Sequence, residues 1–114
     1  MRWWLPLALL MLGACSKGPQ ADLPYIGEAR SLAGEWAMVN DQAAKGQLNA
    51  TYAETMRAKL REQLQTASSS LTQLNSPYGA EIQLLLREPG DVPPQALKTH
   101  SDKLKQIEDQ LESA

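Results

Sequence analysis

NATYAETMRAKLREQLQTASSSLTQL, residues 49–74, is the most regular stretch of the chain. Tyr52, Met56, Leu60, Leu64, Ala67, Leu71 and Leu74 step by four, four, four, three, four and three. That spacing places them in one stripe on an α-helix and on alternating faces of nothing else. The stretch predicts a helix over 50–74, about 37 Å long. Asn49 or Thr51 is its expected cap, and Thr51 with Glu54 has the form of a capping box. The serines at 68–70 are expected on the solvent face, because the stripe runs past them. Asn49-Ala50-Thr51 is a glycosylation sequon in form only.

Working outward, the same period recurs. Ile26, Ala29, Leu32, Trp36, Val39 and Ala43 predict a first helix over 24–45, with Pro24 in its first turn. Gly46 is placed to end it in the left-handed conformation. Trp36, on the apolar stripe, is expected in the core. Downstream, Ser76 and Pro77 open a short helix over 78–88, and EPGDVPP, residues 88–94, makes a stiff loop. The last helix is expected over 94–112, where Leu97, Leu104 and Leu111 repeat every seven residues. Such a seam could pair with a second copy of the chain, so self-association is an expectation.

Short connections place sequential helices antiparallel. The expected fold is all-α: a small antiparallel helical bundle over residues 24–113, with three main helices and one short one. Composition agrees. Ala, Leu, Gln, Glu and Lys dominate, Phe is missing, and Ile and Val are scarce. In 114 residues there is room for one domain. A net charge of −2 offers no basic field for nucleic acid.

The N-terminus is of another kind. In MRWWLPLALLMLGAC, Arg2 precedes an apolar run from Trp3 to Leu12, interrupted by Pro6. A helix needs about 20 apolar residues to cross a bilayer, so this run is too short. Its length and flanking charge are those of a signal peptide. Leu12-Gly13-Ala14-Cys15 resembles the lipobox of bacterial lipoproteins. The resemblance implies a signal peptide over 1–14, cleavage between Ala14 and Cys15, and a lipid on the Cys15 thiol. Residues 15–23 would then be the lipidated cysteine and a flexible tether. With Ser16 rather than Asp after the cysteine, the resemblance implies the outer membrane, facing the periplasm. Two or three acyl chains on one residue would anchor the protein permanently. The hairpin over 36–60 also loosely resembles the SHOCT short C-terminal domain, with Gly46, Leu48, Asn49 and Tyr52 in roughly the module's positions.

Chemistry is sparse. Cys15 is the only cysteine and His100 the only histidine. No cluster has metal-ligand spacing, no glycine-rich loop could cradle a phosphate, and no cofactor is expected. His100, Ser101 and Asp102 are the residue types of a hydrolase triad, but consecutive helical residues point apart. No catalytic residue is assigned. His100 falls on the last helix's apolar stripe as a partly buried imidazole, so His100→Leu is expected to stabilise the fold. These readings point to a lipid-anchored, non-catalytic binding or scaffolding module with an envelope protein as partner. The alternative is a small inhibitor or exclusion lipoprotein acting against an incoming enzyme, phage or conjugation machinery.

Overall fold

Four helices form where the apolar period placed them: α1 (Leu23–Ala44), α2 (Ala50–Ser69), α3 (Pro77–Leu86) and α4 (Pro94–Glu112). The computed structural model describes residues 18–114. The fold is a small antiparallel helical bundle of three main helices and one short one. No strand occurs among the described residues.

The helix ends follow from local chemistry. Gly46, at φ 73°, ends α1. Its N–H donates to the Ala43 carbonyl, and the Gln47 N–H donates to the Gln42 carbonyl. Those two bonds are the signature of a Schellman cap. Asn49 caps α2, its Oδ1 accepting the Tyr52 N–H at 2.8 Å, which contributes about 1 kcal/mol. Thr51 lies inside the helix instead of capping it, and its carbonyl accepts the Thr55 hydroxyl. Ser76 caps α3 by accepting the Gly79 N–H.

α2 stops at Ser69, short of Leu74. Two causes combine. The hydroxyls of Thr66, Ser69 and Ser70 turn back onto carbonyls one turn earlier, a habit that weakens helices. The N–H groups of Thr72 and Gln73 are then taken by the carboxylate of Asp22. Leu71 stays buried, but Leu74 is 56% exposed. Tyr52, at the other end of the stripe, is 51% exposed. Ser68 is buried rather than solvated, and its hydroxyl accepts the Gln83 side-chain amide of α3.

α1 lies between α2 and α4 and runs antiparallel to both. Near its start, Arg30 pairs with Glu108 and its carbonyl accepts the Ser101 hydroxyl. Near its end, the Trp36 indole N–H and the Asn40 amide both donate to the Gly90 carbonyl, just before α4. α3 runs antiparallel to α2 and α4 and closes the remaining side. The core takes Ile26, Leu32 and Trp36 from α1, Leu60 and Leu64 from α2, Ile82 and Leu85 from α3, and Leu97 and Leu104 from α4. Two of the three seam leucines of α4 are spent inside the bundle, and Leu111 is partly buried. Leu97 and Leu104 are fully buried and unavailable to a second copy.

The start of the chain also departs from expectation. Gly18–Asp22, read as tether, is a 3-10 turn folded onto the bundle. Asp22 is fully buried, and the Gln20 amide donates to the Leu111 carbonyl at the end of α4.

Of the described glycines, Gly79 leaves the least room for a side chain. A Cβ there would fall well inside contact distance of the Leu74 carbonyl. Neither backbone can yield without moving α3 or the preceding turn. Gly79→Ala is expected to destabilise the protein by about 2 kcal/mol or more, read as a lower urea midpoint. An unchanged midpoint would show that this turn gives way freely.

Candidate functional site

Cys15 and Ala14, the residues singled out for lipidation and cleavage, lie outside the described residues. Chain length alone limits how far Cys15 can lie from the described fold. Only Ser16 and Lys17 separate Cys15 from the 3-10 turn. Three peptide steps reach about 10 Å at full extension.

This defines two ends of the bundle. The near end holds Gly18, the start of α1, the turn after α2 and the end of α4. The far end holds the turn at 45–49 and the loop before α4. The 22 residues of α1 separate the ends by about 33 Å.

The near end is built around Asp22. Its Oδ2 accepts the Tyr78 hydroxyl at 2.6 Å, the Thr72 hydroxyl at 3.1 Å and the Gln73 N–H at 3.2 Å; Oδ1 accepts the Thr72 N–H at 2.8 Å. Burial pushes this carboxyl's pKa up. The bonds from Tyr78, Thr72 and Gln73 outweigh burial and hold it below the ordinary value. Tyr78 is pushed up to about 12, by burial first and then by its bond to Asp22. Both carboxylate oxygens are engaged by the chain itself, so this cluster is a structural staple. The sequence gives no sign of it, because the donors lie about 50 residues away.

His100 is where the apolar stripe of α4 placed it, partly buried, but its neighbours are not apolar. Nδ1 lies 2.5 Å from a Glu81 oxygen, and Nε2 lies 2.7 Å from a Glu88 oxygen. Ionised carboxylates only accept, so a pair of them on opposite ring nitrogens favours the doubly protonated imidazolium. Burial lowers its pKa. The bonds to Glu81 and Glu88, with their charges, raise it further than burial lowers it, and the net shift is upward. Lys103, 4.0 Å from Glu81, is the other cation at this spot. The carboxylates hold opposite ring nitrogens and cannot close around one ion. Among the described residues no group of three potential ligands could hold a metal. Ser101 and Asp102 turn elsewhere: Ser101 binds the Arg30 carbonyl and Asp102 is exposed.

Exposed apolar side chains occur at both ends, Leu74 in the turn after α2 and Leu84 on α3 among them, but the far end gathers Met38 and Tyr52 around a groove. An open groove of about 220 Å³ runs between α1 and α2, lined by Glu35, Met38, Val39 and Gln42, by Leu48 of the turn, and by Tyr52 and Met56. Met38 is 59% exposed. Methionine re-packs readily against varied partners, and tyrosine offers an apolar body with a polar tip. The amphipathic pattern could have revealed this groove only by its failure at Tyr52.

The chain matches no family model, no curated protein and no solved structure. No helix among the described residues is long and apolar enough to cross a membrane.

Proposed function

We propose that this protein is a lipid-anchored helical binding module of the bacterial envelope. It is attached through Cys15 to the periplasmic face of the outer membrane and engages an envelope protein with its far end. The observation that carries this reading is the separation of two features in one small bundle. Cys15, the last residue of the lipobox-like Leu12-Gly13-Ala14-Cys15, is three peptide steps from Gly18, so at most about 10 Å of chain separates it from the near end. The exposed Met38 and Tyr52 sit at the other. Anchoring by two or more acyl chains leaves the protein on the membrane permanently. The groove then faces away from the point of attachment, open to an apolar side chain of a partner.

The test is in-cell crosslinking of the tagged full chain followed by mass spectrometry, with Cys15→Ala and Tyr52→Glu beside it. A specific envelope protein should be recovered with the native chain and be lost with both variants. Recovery of the same partner from both variants, or of none from the native chain, would reject the reading.

A further inference from the structure

On the opposite flank of α2 from the apolar groove, Arg57 and Arg61 line an open cavity of about 460 Å³ with Glu54, Ala58, Gly90 and Asp91. Small-molecule sites occupy about 300–1,000 Å³. Each guanidinium is held from behind. The Arg57 Nε–H donates to Asn40 Oδ1 at 2.7 Å. Asn40 is itself fixed by donating to the Gly90 and Val92 carbonyls. Arg61 donates through Nη2 to the Leu86 carbonyl and lies 5.3 Å over the Trp36 ring.

Neither arginine has an anionic partner. Among the described residues no carboxylate comes within 4.0 Å of either guanidinium. Glu54 and Asp91 stand at the exposed rim, where solvent screens them, while both arginines are half-buried. Two like charges one turn apart are disfavoured on an isolated helix, yet here the fold fixes them side by side. Their remaining guanidinium nitrogens are not sealed in the protein, since no buried side-chain nitrogen lacks a partner. Those nitrogens therefore reach solvent, and both side chains line the cavity.

We infer that Arg57 and Arg61 form a receptor for a small oxyanion. Paired, pre-oriented guanidiniums match the planar fork of a carboxylate and the oxygens of a phosphate. Holding the two side chains in place beforehand removes most of the ordering cost of binding. The chemistry is common to both anions, and the experiment separates them.

The full chain in detergent is titrated with inorganic phosphate and, separately, with succinate, each against a chloride control. The Gly90 amide, the Arg57 Nε–H and the Trp36 indole N–H are followed by NMR. A saturable shift of these signals is expected, with a dissociation constant on the order of 1 mM. Phosphate alone, succinate alone or both acting will name the anion. Ala58 is exposed, so Ala58→Glu places a carboxylate at the cavity without touching the core. It should weaken binding about tenfold relative to the isosteric Ala58→Gln. No saturable shift with either anion, or equal affinity in the two variants, overturns the site. That failure would leave the anchored-module reading to its own crosslinking test.

Discussion

Asp22→Ala should lower the unfolding free energy by about 3–5 kcal/mol. The substitution strands the buried Tyr78 hydroxyl and takes the acceptor from the part-buried Thr72 N–H and hydroxyl and the Gln73 N–H. A domain of this size is stable by about 5–15 kcal/mol, so the variant sits near the edge of folding. Asp22→Asn keeps the shape and one acceptor oxygen but turns a donor toward donors, and should lose about half as much. The pH dependence follows from the carboxyl's depressed pKa. Its contribution is fully present above the unfolded value of 3.8. It is lost as pH falls through the lower folded value. Urea unfolding across acid pH reads both effects. Equal midpoints for Asp22→Ala and the native chain would show that water replaces the staple at no cost.

His100→Leu is expected to destabilise the protein by about 2–3 kcal/mol, the reverse of what the apolar stripe implies. Leucine suits the helix face but leaves Glu81, which is 7% exposed, and Glu88 without the cation between them. The native pKa of His100 lies above 6.5. Its stabilisation is therefore complete below 6.5 and fades as pH rises through the folded value. The gap between native and variant melting temperatures should be widest on the acid side of neutrality and narrow on the alkaline side. A more stable Leu variant, or a gap independent of pH, would remove the imidazolium bridge.

The sequence announces α1 and α4 nearly to the residue, because the apolar period and the punctuation agree there. Pro24, Gly46, Ser76 and Pro94 each act locally, and local chemistry is legible in a linear text. The end of α2 was misplaced for the opposite reason. Its stripe continues through Leu74, but the chain leaves the helix because Asp22 captures Thr72 and Gln73 from about 50 residues away. The setting of His100 is concealed for the same kind of reason, at shorter range: its partners lie 19 and 12 residues back. Its position predicts partial burial, while its partners on and just after α3 are set by tertiary packing. Arg57 and Arg61 lie off the apolar stripe of α2, and only the return of Gly90 beside them makes a cavity. Apolar periodicity records which face of a helix is inward. It says nothing about which polar groups meet once the faces close.

The folded start of the chain has a mechanical consequence. A pull applied on the N-terminal side of Gly18 would reach the Gly18–Asp22 turn before α1. The four hydrogen bonds of Asp22 then bear the load together, and they transfer it across the bundle to the turn after α2 and to Tyr78. The body of α1 is shielded from strain until that cluster gives way. A protein tugged at its N-terminus by a fluctuating surface would yield there first, with its far end still intact.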